Sequence, residues 1–366
     1  MKTVAVFGST GSIGVQTLNV VRRFPDEYKV VALSAGGNVS LLRKQIGEFA
    51  PLRAAASCGF DAENVRVYAG GDAALRMAED TEADITVMAI SGLAALAPLL
   101  AMINKGGRIA LANKEAIVCA GDIVLSAAKK SGAEIVPVDS EHSAVFQCLA
   151  GEDMRDVRRI VLTASGGPFY NGREDLSLVT PERAVKHPTW NMGAKISVDS
   201  ATMVNKGLEI IEASRLFGTK NVDYVIHPES VIHSMVEFTD NSTAALMSYP
   251  NMELAIQYAL TYPRRAKNAG VRAFDFSRPL TFAAPDEERF PAPAIARRCM
   301  EEGGTAPAIF SIADEAAVEL FMKKLIRFTD ITGIIEEALC INEIEKVGSV
   351  AQLFELESSI KRHFGV

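Results

Sequence analysis

The run KTVAVFGSTGSIG at residues 2–14 constrains this chain more than any other. Residues 2–8 are almost continuously apolar, as a strand buried on both faces requires. Glycines follow at 8, 11 and 14, then VQTLNVVRRF, with apolar residues at helical spacing, then KVVALSA at 29–35, a second buried strand. Strand, glycine turn, helix and strand make one βαβ unit. In such a unit Gly8 permits the tight turn, Gly11 lets the backbone approach a phosphate, and Gly14 lets the helix pack closely on the sheet. The first N–H groups of the helix then face the pyrophosphate of a dinucleotide. The spacing is G-x-x-G-x-x-G rather than G-x-G-x-x-G, so a glycine turn without a cofactor stays open from this motif alone.

Further strands are expected at 84–90, 108–113 and 134–139, with helical runs at about 92–104 and 115–130 between them. That alternation implies a mainly parallel sheet covered on both faces. Loops leaving the carboxyl ends of its strands, Gly8–Gly14, Ala35–Asn38, Ser91–Gly92 and Asn113–Glu115, then share one rim, where a cofactor binds. The second strand ends in Ser34, Ala35 and Gly36 with no carboxylate. An acid there would hold the ribose hydroxyls of NADH and repel the extra phosphate of NADPH, so its absence favours NADPH. Asn38, Ser40 and Arg43 are the nearest candidates for the 2′-phosphate.

A length of 366 residues predicts two or three domains. The apolar share is 48%, charged residues are 23% and the net charge is -7, which argues against a general nucleic-acid binder but not against a local phosphate pocket. No segment is apolar for long enough to span a bilayer, and the start lacks the long apolar run of a secretory signal. Cys58, Cys119, Cys148, Cys299 and Cys340 form no CxxC pair, and are expected to be small buried hydrophobes in a reducing, cytoplasmic setting.

Asp139-Ser140-Glu141 follows the apolar run EIVPVD. In an extended segment positions 139 and 141 point the same way, and two converging carboxylates repel unless a cation lies between them. An all-oxygen site suits Mg²⁺ or Mn²⁺. Capping of a following helix by Asp139 or Ser140, with Glu141 in its first turn, is the other reading. KISVDSAT, 195–202, reads as a strand turning into a loop, and KGLEIIEASRLF, 206–217, as an apolar helix. Glu209 and Glu212 lie on it one turn apart. Glu209 is the better third metal ligand because it is nearer the loop, although spacing alone does not separate the two. Asn205 and Lys206 place an amide and an ammonium near the helix start, suited to an anionic substrate oxygen.

TASGGPF at 163–169 is a second glycine turn after an apolar strand. Ser165 and the N–H groups of Gly166 and Gly167 could cradle a phosphate, or form a bare turn. Thr180-Pro181-Glu182 looks like an N-cap, a first-position proline and a first-turn acid. HPTWNMGAK, 187–195, is a loop interrupted by Pro188 and Gly193. It carries Trp190 and Met192, which suits a flap closing over substrate or a contact with a neighbouring domain. VIHPESVIHSMVEF and STAALMSYP form an antiparallel pair with the turn near Asp240-Asn241, and that sheet could carry a dimer contact through residues 231–249. His227 and His233 there suit structural roles as well as catalysis. Residues 264–291 read as a linker. From about 292 the pattern is helical, and Ser349-Val350-Ala351-Gln352 is a capping-box signature for the last helix.

Laid end to end, GSTGSIG, ALANKE (110–115), VDSEH (138–142), TASGGPF, HPTWNMG, KISVDSATMVNKGLE (195–209) and HPESVIHSMV make the chain resemble the 1-deoxy-D-xylulose 5-phosphate reductoisomerase family over essentially its whole length. The resemblance implies an α/β fold: a Rossmann-like NADPH domain at 1–137, a catalytic α/β domain at 138–263 holding metal site, flap and dimer interface, the linker at 264–291, and a helical domain at 292–366. It implies a cytoplasmic homodimer using NADPH and Mn²⁺ or Mg²⁺ on a small sugar phosphate, with no nucleic acid or membrane as partner. Metal ligation falls to Asp139, Glu141 and Glu209. Ser140, Ser165, Ser200, Asn205, Lys206 and Glu209 surround the substrate, with 186–195 as the flap, His187 closing and Trp190 packing on the substrate. Lys114, Glu141 and His187 are the expected catalytic groups, Lys114 near the nicotinamide. Thr10, Gly11, Ser12 and Ile13 are expected on the cofactor, with Gly36, Gly37 and Asn38 in the second turn and Asn113, Glu115 and Gly193 elsewhere.

The reaction so implied is a retro-aldol and aldol rearrangement followed by hydride transfer. Gly37 is a departure, because family members often carry a basic residue in that turn. A homoserine- or semialdehyde-type dehydrogenase with the same first domain is the rival reading, and a requirement for a divalent metal separates the two. An NADPH-binding sensor without turnover is the other.

Overall fold

The structure, a computed structural model, describes residues 1–187, 189–190, 192–267 and 270–366. Pro188 and Asn191, expected in the flap, lie outside the described residues, as do two positions of the 264–291 linker. The chain forms two compact units, the first made of Met1–Ala116, Asp122–Ser143 and Asn251–Val271, the second of Ile117–Gly121, Ala144–Pro250 and Arg272–Val366.

In chain order the first unit begins β1 (Lys2–Phe7), α1 (Ser12–Arg23), β2 (Tyr28–Ser34), α2 (Val39–Phe49), β3 (Arg53–Ala56), β4 (Arg66–Ala69), α3 (Ala73–Asp80), β5 (Ile85–Met88), α4 (Leu96–Ile103) and β6 (Arg108–Leu111). Next come α5 (Lys114–Ser131), β7 (Glu134–Pro137) and α6 (Ser140–Cys148). All seven strands are parallel, in the order β4-β3-β2-β1-β5-β6-β7. β1 and β2 are buried over Val4–Phe7 and Val30–Ser34 and β5 throughout, which is why these strands read as apolar runs, whereas the short strands β3 and β4 are not among those expected. The order reverses between β1 and β5, and ligands of open α/β sheets bind at such a switch point.

The second unit continues with β8 (Val157–Ala164), α7 (Pro181–Ala184), α8 (Ala194–Ala201), α9 (Val204–Phe217), β9 (Val222–Ile226), β10 (Ile232–Phe238) and β11 (Thr243–Met247). The helix α10 (Met252–Thr261) belongs to the first unit, and α11 (Ala292–Glu302), α12 (Ala306–Met322), α13 (Asp330–Ile341) and α14 (Val350–Phe364) complete the second. The sheet order is β11-β10-β8-β9, with β10 antiparallel to β8 and β11, and β9 parallel to β8. The expected turn between β10 and β11 is present: Asn241 takes φ 68 and Asp240 Oδ1 accepts from Ser242 N–H. Ile160, Leu162 and Val236 of this sheet share one core with Val198, Ile210, Phe321 and Phe328, so the C-terminal helices bury their apolar face on this sheet. The final helix starts as its capping box foretells: Ser349 Oγ accepts from Gln352 N–H, although the Gln352 side chain reaches Gly348 N–H instead of Ser349.

Three local expectations are corrected. KISVDSAT is helical, not a strand: Ser197 Oγ and Thr202 Oγ1 donate to carbonyls one turn back, Val198 is fully buried, and tertiary packing overrides the β-branched composition. Asp139 and Glu141 are not related by strand alternation, because α6 begins at Ser140 and the Asp139 carbonyl accepts from Ser143 N–H at 2.8 Å. The five cysteines are not uniformly buried. Cys119 and Cys299 are, the Cys299 thiol pushed up to about 12 by burial, but Cys58 and Cys340 are exposed.

Candidate active site

The glycine turn after β1 is shaped by two close approaches. Gly8 has φ +84, and a Cβ there would lie 2.4 Å from the Ala89 carbonyl oxygen. A Cβ on Gly14 would lie 2.2 Å from the Gly8 carbonyl oxygen. Only glycine lets the first turn of α1 fold back on the end of β1. Gly11 caps α1 without a side-chain bond, so the helix presents free N–H groups at the sheet rim. The turn is braced by Ser9 Oγ donating to Gln45 Oε1 at 2.7 Å and by Gly8 N–H donating to Ser34 Oγ at 2.9 Å.

The other expected cofactor loops lie on the same rim. Asn38 caps α2 by accepting from Leu41 N–H, and a Cβ on Gly36 or Gly37 would meet nothing within 4 Å. Asn113 caps α5 by accepting from Ala116 N–H, while its amide donates to the carbonyls of Ile90 and Gly92 and to Glu115. One asparagine thus ties the ends of β5 and β6 together. Thr10, Ser12 and Ile13 lie in the first glycine turn and the start of α1, on that rim. Gly193 lies elsewhere, as the N-cap of α8.

Lys114, the first residue of α5, is 7% exposed, and its ammonium stands 2.7 Å from Asp139 Oδ2. A carboxylate oxygen of Glu141 lies within 4.8 Å of one on Asp139, Ser140 Oγ donates to Glu141 at 2.7 Å, and His142 Nδ1 is 3.9 Å from Asp139. Burial works against the charge of Asp139, but Lys114 and His142 outweigh it and hold the carboxyl well below the usual range. Asp139 is therefore an anion in this unit. Sequence reasoning missed both the Lys114–Asp139 pair and His142. The first joins residues far apart in the chain and has no local signal. The second had one, since position 142 is one helical turn from 139.

In the second unit the glycine turn after β8 places Gly166 at φ +85 and Gly167 at φ +69. Ser165 Oγ accepts from Gly167 N–H at 3.3 Å and lies 2.9 Å from His187 Nε2. A Cβ on Gly167 would sit 2.7 Å from the Ser200 carbonyl oxygen, so α8 closes tightly on this turn. The helix expected from 206 starts two residues earlier, at Val204, so Asn205 and Lys206 lie in the first turn of α9. Glu209 is 1% exposed; its carboxylate accepts from the Asn205 amide and pairs with Lys206, whose ammonium also donates to the Thr163 carbonyl at 2.5 Å. Ser165, Ser200, Lys206 and Glu209 are thus gathered around the end of β8.

His187 Nδ1 accepts the N–H groups of Thr189 and Trp190, which folds the start of the 186–195 loop into a turn. Trp190 and Met192 are half-buried, and the indole lies 6.4 Å from the His233 ring. His233 is buried beside Ser248, and burial lowers its pKa to about 4. His227 holds a structural post: Nε2 accepts from Val231 and Ile232 N–H, and Nδ1 bonds to the Thr281 carbonyl.

Models of the "1-deoxy-D-xylulose 5-phosphate reductoisomerase" family, its "C-terminal domain" and the "DXP reductoisomerase C-terminal domain" match residues 4–121, 135–217 and 247–363. A relative of that name from Caldanaerobacter subterraneus subsp. tengcongensis is 48% identical over 351 residues, covering 93% of this chain and 92% of its own length. One from Anaeromyxobacter dehalogenans is 47% identical over 365 residues, covering 96% and 93%. Among solved structures, the Zymomonas mobilis reductoisomerase in complex with NADPH superimposes with a TM-score of 0.91 at 40% identity, covering 99% of this chain and 98% of that one. A reductoisomerase in complex with NADPH, fosmidomycin and magnesium gives a TM-score of 0.93 at 35% identity, covering 100% and 98%. This chain belongs to the 1-deoxy-D-xylulose 5-phosphate reductoisomerase family.

Proposed function

We propose that this chain converts 1-deoxy-D-xylulose 5-phosphate to 2-C-methyl-D-erythritol 4-phosphate by a skeletal rearrangement followed by hydride reduction from NADPH, with a divalent cation held by Asp139, Glu141 and Glu209. Relatives at 45–48% identity bear the name of that activity, and a solved relative is described with NADPH, fosmidomycin and magnesium. The observation that carries the reading is the Asp139–Glu141 carboxylate pair after β7, on the rim that also bears the first glycine turn, with Lys114 keeping Asp139 charged. An all-oxygen donor set of this kind fits Mg²⁺ or Mn²⁺.

Bound there, the cation supplies Lewis-acid polarisation of the ketone and hydroxyl oxygens of the substrate. The rest falls to side chains. Ser165, Ser200, Asn205 and Lys206 bind the phosphate and hydroxyls, which orients the carbon skeleton for breaking and remaking its C–C bond. Lys206 also pairs with Glu209, which restrains the carboxylate proposed as the third ligand. His187 and Trp190, in the 186–195 loop, cover the substrate and exclude water. Lys114 orients Asp139 and stands at the start of α5, beside the Asn113–Glu115 loop expected on the cofactor. The dinucleotide lies along the rim, on Thr10–Ile13, Gly36–Asn38, Asn113 and Glu115, with Gly193 from the loop.

The same reading divides the chain into an NADPH domain at 1–137, a catalytic domain at 138–263, a linker at 264–291 and a helical domain at 292–366. It makes the chain a cytoplasmic homodimer. The edge strand β11 offers unpaired backbone groups for a symmetric partner, no described helix is long and apolar enough to cross a membrane, and the net charge of -7 does not favour nucleic acid. The test follows NADPH absorbance with the ketose phosphate in the presence of Mn²⁺ or Mg²⁺ and identifies the product by mass spectrometry. Metal-dependent oxidation of NADPH with formation of the branched tetritol phosphate is expected. Turnover that survives complete chelation, or no turnover with either metal, sinks the reading.

A further inference from the structure

Lys195 stands in the first turn of α8, where the helix dipole disfavours a cation. Its partner on the same helix, Asp199, lies four residues on, and a lysine placed before its acid is the weaker order for such a pair. Local rules therefore give no reason for a lysine here, and such violations point to a demand made from elsewhere in the fold.

That demand is visible. The Lys195 ammonium lies 2.6 Å from Asp199 Oδ2 and 2.6 Å from Asp314 Oδ2. The Asp199 and Asp314 side chains are 2% and 0% exposed, and that of Lys195 is 34% exposed. Asp314 sits within α12 between the buried residues Ala313 and Ala316, one of the most thoroughly buried helices of the chain. It is a fixed anchor, and the ammonium is clasped between that anchor and its own helix.

The two ends of α8 matter for the substrate. Its N-cap, Gly193, ends the 186–195 loop, and Ser197 Oγ ties back to the Gly193 carbonyl at 3.0 Å. Near its other end is Ser200, whose carbonyl oxygen packs on Gly167, in the turn that links Ser165 to His187. Whatever fixes α8 against α12 therefore fixes Ser200 beside Ser165, and with it the C-terminal root of the loop.

We infer that Lys195 is a positioning residue for substrate binding, its ammonium clasping Asp199 to Asp314 so that Ser200 and the root of the 186–195 loop are held in place beside the Ser165–Gly167 turn. The inference rests on the proposed role of Ser165, Ser200 and the loop in binding the sugar phosphate. Lys195 itself touches no reacting atom in this account.

Trp190 is the sole tryptophan of the chain, so its fluorescence reports the loop directly. Lys195→Met, Lys195→Arg and Asp314→Asn are compared with the unaltered enzyme by titrating Mn²⁺-loaded protein with a substrate-like phosphonate, by NADPH binding, and by steady-state kinetics. Loss of a charge-assisted contact predicts that Lys195→Met raises the substrate KM and the phosphonate Kd about tenfold or more. NADPH affinity is expected to fall less than phosphonate affinity, because of the expected cofactor residues only Gly193 caps α8 and the others lie in the other unit. Lys195→Arg restores most of the affinity, and Asp314→Asn moves in the direction of Lys195→Met. Lys195→Met with unchanged KM and an unchanged Trp190 response overturns the inference, as does a loss of NADPH affinity equal to the loss of phosphonate affinity. If Lys195→Met fails to fold, the arginine and Asp314→Asn variants decide by the same readouts. An unaltered enzyme without metal-dependent turnover would instead remove the functional reading itself.

Discussion

The Ser165 hydroxyl lies 2.9 Å from His187 Nε2, while the opposite ring nitrogen accepts the N–H groups of Trp190 at 2.9 Å and Thr189 at 3.1 Å. Two N–H donors on Nδ1 leave it no proton, so the neutral ring carries its hydrogen on Nε2 and donates to Ser165. Burial lowers the His187 pKa and so favours the neutral ring over the imidazolium. The ring thus links the glycine turn after β8 to the loop that carries Trp190. His187→Ala should raise the substrate KM about tenfold or more, as the loss of a buried hydrogen-bond partner predicts, with NADPH binding intact. Steady-state kinetics beside a cofactor titration checks this, and unchanged KM would detach His187 from the substrate.

His233 gives a pH dependence with a definite sign. Burial chiefly, with His227 nearby, lowers its pKa from 6.5 to about 4, against a smaller opposing effect of the Ser248 hydrogen bond. Between those values the unfolded chain takes up a proton that the folded chain refuses. Stability from this group is therefore fully present above about pH 6.5 and falls as the pH drops toward 4, by about 3 kcal/mol over the whole window. At pH 5 the loss should be about 2 kcal/mol relative to pH 7. His233→Gln should flatten that part of the profile in urea denaturation at the two pH values. Equal pH slopes in the two proteins would show that His233 titrates normally.

Gly14 tests the glycine turn. An added Cβ would lie 2.2 Å from the Gly8 carbonyl oxygen and 2.4 Å from Ser9 Cα, backbone atoms that cannot yield without moving the end of β1. Gly14→Ala should destabilise the first unit by about 1–3 kcal/mol, as overpacking does, and weaken NADPH binding more than substrate binding. Thermal melting with and without NADPH measures both. Gly37 is the contrast, because nothing lies within 4 Å of its Cβ position. Gly37→Lys should fold normally and, by adding a cation beside the expected 2′-phosphate, raise the preference for NADPH over NADH by about fivefold, or roughly 1 kcal/mol. Equal gains for both cofactors would place the phosphate elsewhere.

What the sequence disclosed follows from range. The first βαβ unit was legible because β1 and β2 are buried on both faces and Gly8 and Gly14 are required by contacts within a few residues of the turn or at the adjoining strand. The turn at Asn241 and the N-cap positions of Ser349 and Thr180 are legible for the same reason, although the Thr180 side chain makes no capping bond. Residues 195–201 were misread because Ile196 and Val198 favour a strand locally, while the reasons for a helix, Asp314 and the core around Val198, lie far along the chain. Residues 139–141 were read as extended because EIVPVD is a strand almost to its end. The Lys114–Asp139 pair has no local signature at all. Candidate residues could therefore be named individually from motifs, whereas the partners that set their charge and orientation required the fold.

Glu209 is the acid on which the proposed chemistry turns. The Asn205 amide and the Lys206 ammonium hold its two oxygens, and the Thr163 carbonyl fixes that ammonium in turn. Glu209→Gln keeps the volume and the hydrogen bond to Asn205 but removes the negative charge that pairs with Lys206. If Glu209 is the third ligand, Mn²⁺ affinity and kcat should both fall, kcat by about a hundredfold or more, since the metal then polarises the substrate from an incomplete site. NADPH binding should persist, because no cofactor residue belongs to α9. Mn²⁺ binding followed by electron paramagnetic resonance, beside turnover at saturating metal, separates a lost ligand from a damaged fold: the former weakens metal binding at unchanged cofactor affinity, the latter lowers both. Metal affinity and metal-dependent turnover equal to those of the unaltered enzyme would take Glu209 out of the ligand set.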